Sequence, residues 1–209
     1  MINLSIFSSS DADEVVQLLA EVFTRSDPPA VAVGLTSSEF ATFVRLFCSK
    51  AADEGLTIVA RSAETGEIVG ALLTEDSASP LPPGMSALSP KFDPIFDILG
   101  QLDAEYRAGR TVRTGELMHL FLLGVSPRFA GQGIAHQLVA TCLANGAAKR
   151  YRTAITEATN KTSQHIFRKQ GFVERVHRSY NDHRFNDKAH FASIADHGGP
   201  ILMEKQLTQ

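Results

Sequence analysis

Residues 116–143, ELMHLFLLGVSPRFAGQGIAHQLVATCL, limit the possible folds of this chain more than any other stretch. Leu117 to Val125 is an almost unbroken apolar run, as expected of a strand buried on both faces. Ser126-Pro127 stops it, because proline has no N–H to give a ladder and biases its neighbour away from helix. Apolar residues then recur at Ile134, Leu138, Val139, Cys142 and Leu143, which is one face of a helix. Between strand and helix lie Gly131 and Gly133, so backbone N–H groups stand bare at the positive end of a helix dipole. Such a turn suits a phosphate. Taken alone, it can also be a helix start whose glycines serve tight packing. A dinucleotide fingerprint would need a third glycine where His136 stands.

The flanking elements give the fold class. Ile2 to Phe7 alternates as a first strand, and a helix capped at Ser10 or Asp11 carries Val15, Leu18, Leu19 and Val22 before ending near Asp27-Pro28-Pro29. Residues 31–35 read as a short loop or helical turn. A second helix opens at Ser37 or Ser38 and closes at Gly55. Residues 56–60 and 67–74 pair as a hairpin across Glu64-Thr65-Gly66. Residues 77–90, rich in serine and proline, form a surface loop, and a helix over 94–107 follows. After the central helix come a strand at 152–156, a helix from Asn160 to before Gly171, and a strand at 172–180. A long connection over 181–199 then leads to a last strand at 201–207. Hairpins toward both ends with parallel crossovers between them predict a single α/β (α+β) domain over 1–209. It is built on a mixed sheet of about six to seven strands, with a loop and helix inserted at about 77–110.

Composition excludes several function classes. A chain of 209 residues with 44% hydrophobic and 21% charged residues is an ordinary globular protein with a sizeable core. A net charge of −3 gives no case for nucleic acid or an anionic membrane, and nothing approaches the ~18 apolar residues of a span. No signal peptide is evident, so the expected location is cytoplasmic. Cys48 and Cys142 read as buried free thiols.

Two patterns together resemble a known family. Val125-Ser126-Pro127 followed by Ala130 to Ala135 is similar to motif A of the GNAT superfamily (GCN5-related N-acetyltransferases), and Asn160 to Gly171-Phe172 resembles that family's N-x-x-A-x-x-x-Y-x-x-x-G-F. The two come in the family's order, about 30 residues apart. The resemblance implies a single GNAT domain using acetyl-coenzyme A, with no metal, to acetylate a small-molecule amine by direct attack in a ternary complex. Neither nucleic acid nor membrane is an expected partner, and a homodimer is compatible with the family. It places the pyrophosphate on Arg128, Phe129, Ala130, Gly131, Gln132, Gly133, Ile134 and Ala135, and the pantetheine arm on Leu123, Gly124, Val125 and Asn160. The family's usual glutamine or arginine is Ala130 here, and its usual acidic tyrosine is Phe167, which has no proton to give. Both departures support an alternative, a coenzyme A-binding or sensor module without turnover.

Hydroxyls of Ser163 or Thr159 are candidates to hold the thiolate instead. For the base there are several candidates. His119 lies near a histidine used by arylalkylamine acetyltransferases, and an ordinary imidazole pKa of about 6.5 suits the task. Asp27 before Pro28 resembles the acidic residue of the insect arylalkylamine branch, while Glu116 and Glu157 stand at strand ends. Each has a bland reading too, as a sheet histidine, a cap or a solvated strand end. His177, His183, His190 and His197 match no common metal spacing. Lys149, Arg150 and Arg152 form a basic cluster that would suit the adenosine phosphate or a solvated helix end equally.

Overall fold

The computed structural model describes residues 1–207. Seven strands form one sheet: β1 (Ile2–Ile6), β2 (Ile58–Ser62), β3 (Ile68–Asp76), β4 (Leu117–Val125), β5 (Thr153–Ala158), β6 (Val173–His177) and β7 (Ile201–Gln206). Their spatial order is β1-β2-β3-β4-β5-β7-β6, and β4 with β5 is the parallel pair. The expected mixed sheet is therefore present at the upper strand number. β6 and β7 pair antiparallel, but their connection is the long 178–200 segment rather than a tight turn.

Helices cover both faces. On one face α1 (Ala12–Ser26), α3 (Ser37–Glu54) and α4 (Asp93–Arg107) bury Leu19, Val44, Phe47 and Ile98. On the other, α5 (Ile134–Ala148) and α6 (Lys161–Lys169) bury Leu138, Val139 and Phe167 against Met118 and Leu120. β4 reads apolar on both faces because it is covered twice, as parallel-sheet strands are.

The sharpest local departure from the sequence reading is at the proline pair. Asp27 turns extended (φ −79°, ψ 117°) and ends α1, as expected of a residue before proline. Pro28-Pro29 then opens another helix, α2 (Pro28–Ala32), which begins earlier than the short loop or helical turn expected over 31–35. Proline is suited to the first turn of a helix because its missing N–H has no partner to lose there. The Asp27 side chain accepts the N–H of Ala30 at 3.3 Å and caps that helix. This corner carries Asp27 to Thr159, just past the end of β5, where the site forms.

Two glycines test the packing. Gly100 in α4 has open space around its Cα, so Gly100→Ala is expected to raise the unfolding free energy by about 0.5–1 kcal/mol through helix propensity. At Gly124 a Cβ would stand 2.6 Å from Leu19 Cδ2 of α1. Gly124→Ala is expected to lower stability by about 1–3 kcal/mol, as overpacked cores do, and urea denaturation of both variants checks the pair.

Candidate active site

The glycine turn is built to leave its amides free. Phe129 N–H reaches Ser126 O at 2.9 Å and Ala130 N–H reaches Pro127 O at 3.2 Å, which closes a short 3₁₀ turn. The next recorded backbone bond on this side is Gln137 N–H to Gly133 O, so among the described residues the amides from Gly131 to His136 have no backbone acceptor. Gly131 (φ 76°) and Gly133 (φ 74°) make that chain path possible, and no side chain caps α5. A cavity of about 840 Å³ lies over the turn. Of the residues assigned to the cofactor, Leu123, Val125, Phe129, Ala130, Gly131, Gly133, Ile134, Ala135, Asn160 and Ser163 line it.

The other assigned residues lie elsewhere. Arg128 is paired with Glu67. Gln132 is exposed and outside the cavity wall. Gly124 faces α1, so its missing side chain admits Leu19 rather than a ligand. Phe167 packs edge-on against Phe172 at 5.1 Å and lines a second cavity.

That second cavity exists because β4 and β5 part. They pair only from Leu117–His119 to Thr153–Ile155, and beyond this β4 is bonded to β3 alone. The register of β3 with β4 jumps so that Phe121 is left over, a bulge that re-aims the strand beside the opening. The cavity, about 900 Å³, is walled by rings including Phe23, Phe43, Phe47, Phe96 and Phe121. Its floor is charged. Glu75 of β3, His119 of β4 and Glu157 of β5 form a row across three strands, with His119 Nδ1 3.3 Å from Glu75 and Nε2 2.5 Å from Glu157. Lys50 of α3 donates to Glu75 at 2.5 Å. Burial alone would push the His119 pKa down, but Glu157 and Glu75 overrule it and hold the pKa up to about 10. His119 thus keeps its proton through neutrality, unlike the near-neutral imidazole that its residue type suggests.

The two cavities meet at Ser26, Leu123, Asn160 and Ser163, which line both. Asp27 stands at this junction. Burial pushes its pKa up to about 6 against the lowering effects of the Thr159 hydroxyl, the Ala30 N–H and the charge of His197. Thr159 donates to Asp27 at 2.6 Å, and Tyr180 donates to the Thr159 carbonyl at 2.8 Å. Asn160 Oδ1 takes the Ser163 N–H at 2.9 Å as the cap of α6, and the residue lines both cavities. The Ser163 hydroxyl donates back to Asn160 O at 2.9 Å. Glu116 lies outside both cavities and accepts the N–H of Arg113 at 3.1 Å. Lys149, Arg150 and Arg152 also line neither.

The sequence reading did not single out Glu75, Lys50, Tyr180 or the phenylalanine wall. Glu75 carried a signal: it is a charge at the end of an otherwise apolar strand, and such residues are seldom buried without a partner.

The row predicts a pH dependence. An unfolded histidine loses its proton near pH 6.5, whereas folded His119 holds it to about 10. The stabilisation is therefore complete below pH 6.5 and is lost as pH rises toward 10. The stability advantage of wild type over His119→Gln, measured by denaturant titration, is expected to shrink steadily between these limits.

Comparison with known proteins bears on the fold. Residues 103–184 match the family model described as "Acetyltransferase (GNAT) domain". Arylalkylamine N-acetyltransferase 2 from Aedes aegypti shares the fold at TM-score 0.84 and 21% identity, over 99% of each chain. The C-terminal condensation domain of Ebony, solved with β-alanyl-dopamine, gives 0.90 at 14% identity over 99% of each chain. Polyamine N-acetyltransferase from Drosophila melanogaster, which forms N-acetylagmatine, gives 0.79 at 16% identity, covering 99% of this chain and 100% of that one. At these identities the structural likeness speaks for the fold, and the family match spans both the glycine turn and the Asn160 helix. Residues 103–184 are thus similar to a GNAT acetyltransferase domain, and the whole chain shares the fold of these solved structures.

Proposed function

We propose that this protein transfers an acetyl group from acetyl-coenzyme A to the primary amine of a small molecule, by direct attack with both substrates bound. The observation that carries this reading is the meeting of two separate cavities at Ser26, Leu123, Asn160 and Ser163, beside Asp27. Two rooms with one shared wall suit two substrates held at once, which replaces a bimolecular encounter by a positioned one. Acetyl-coenzyme A would supply the acetyl group as a thioester with a fair leaving group.

The residues present fit that co-substrate. The free amides of Gly131 to His136, at the start of the 15-residue helix α5, suit a pyrophosphate. The unpaired edge of β4 at Leu123 and Val125 suits the amide arm, and Asn160 lines the same cavity. Asp27 takes the proton of the attacking amine; a carboxyl titrating at about 6 is ionised at neutral pH yet more basic than an ordinary carboxylate. The ring-lined cavity suits an amine with an apolar body.

Release of free thiol from acetyl-coenzyme A with a panel of amines tests the reading. Turnover with at least one is expected, and binding without release would instead favour a sensor. Because the base must be ionised, kcat/KM is expected to rise with pH through about 6. Asp27→Asn should remove that limb and lower kcat by about 10²–10⁴-fold, the usual worth of a general base. Gly133→Leu places a side chain among the free amides. It is expected to weaken coenzyme A binding by more than tenfold in calorimetry, about 1.4 kcal/mol or more, with the protein still folded by circular dichroism.

A further inference from the structure

The acetyl transfer proposed above needs a proton donor for the departing sulfur, and the hydroxyls at the junction have no proton free for it. Ser26 donates to Val22 O at 2.7 Å, Thr159 to Asp27 at 2.6 Å, Ser163 to Asn160 O at 2.9 Å and Tyr180 to Thr159 O at 2.8 Å. Phe167 has no hydroxyl. The titratable side chains lining the cofactor cavity are His136, Lys161, Asp196 and His197. His136 belongs to the first turn of α5, at the glycine end, where its Nδ1 lies 3.3 Å from Gln170 Nε2. Lys161 opens α6, the helix that Asn160 caps. Asp196 is an exposed carboxylate. His197 is different. It ends the 3₁₀ segment Ala192–His197, which packs on α2, the helix that Asp27 caps. Its imidazole is exposed, lines the cofactor cavity together with Ser26 and Pro28, and is close enough for its charge to act on Asp27.

We propose that His197 is the general acid of the transfer, paired with Asp27 as the base and occupying the role for which Phe167 is unfit. The amine nitrogen bonds to the acyl carbon while the carbon–sulfur bond breaks and its electron pair stays on sulfur. One N–H proton passes to the Asp27 carboxylate, and the His197 imidazolium gives its proton to the sulfur. The proton on Asp27 then moves to His197, directly or through water, and both groups are restored. No other reactant is needed.

The segment is fixed well enough for this. Gly198 O accepts the Tyr180 N–H at 3.0 Å, and Gln164 Nε2 holds Gly199 O at 3.0 Å. A Cβ on Gly199 would fall 1.8 Å from Arg178 O, so the chain just past His197 has no room to shift toward it. The charged groups around the imidazole are Asp27 from the α1–α2 corner, its neighbour Asp196, and Lys161 of α6; α2 itself carries none.

The test is thiol release by wild type, Asp27→Asn, His197→Ala and His197→Gln. Both His197 variants are expected to lose about 10²-fold in kcat, a typical loss for a general acid, while KM for acetyl-coenzyme A changes by less than about threefold. Added imidazole should restore rate to His197→Ala and not to His197→Gln, whose side chain fills the space. Unchanged kcat, a defect confined to KM, or no rescue would overturn the role. A wild type that releases no thiol with any amine overturns the transfer reading and this proposal with it. An active wild type with a crippled Asp27→Asn and a fully active His197→Ala removes His197 alone.

Discussion

Backbone hydrogen bonds that the protein leaves unmade govern this structure. A buried peptide group without a partner costs free energy, so strands and helices normally pair nearly all of them. Here β4 and β5 separate after three residue pairs, and the amides from Gly131 to His136 find no backbone acceptor. The two gaps are neighbours, since β4 runs straight into the glycine turn. In the proposed reaction acetyl-coenzyme A, with its own amides and phosphates, would complete both. The remaining architecture keeps these gaps open: Leu19 seated on Gly124 holds α1 against β4, and the proline pair turns the chain so that Asp27 reaches the opening.

Electrostatics divides the titratable groups around the opening by burial and partners. His119 is held between two carboxylates and keeps a proton well above neutrality, so it acts as a fixed positive charge in the floor. Asp27 meets the opposite environment, with no cation bonded to it and burial dominant, and titrates at about 6. The same rule works in both cases, since each group adopts the protonation state that its surroundings solvate best. Residue type alone points to histidine as the base. The environment leaves the aspartate, not the histidine, close to its titration at neutral pH.

Several features were legible in the sequence. Leu117–Val125 as the central strand, Gly131 and Gly133 before a helix, and Asn160 opening another follow from local chemistry: apolar runs, the missing N–H of proline, glycine at positive φ and asparagine as a cap. Other features were not. That Pro28-Pro29 would start a helix as well as end one depends on Asp27 folding back to cap it. Arg128 stood beside the phosphate turn in sequence, yet Glu67, 61 residues away, takes it. Glu75, His119 and Glu157 belong to three strands and meet only because β3, β4 and β5 stand side by side, with His119 opposite Glu75 and reaching Glu157 two residues beyond its own partner Ile155.

The sequence by itself determined the alternation of strand and helix, the bare glycine turn and the resemblance to a family, because each rests on residues close together in the chain. Tertiary structure alone decided which carboxylate is held up to about 6, which hydroxyls already donate their proton and what lines the ring-walled cavity. Those outcomes depend on burial and on partners 38 to 132 residues away, as His119 with Glu157 and Thr159 with Asp27 show. Local chemistry sets an ordinary pKa and a preferred conformation, and the packed fold then shifts the first and either accepts or overrides the second.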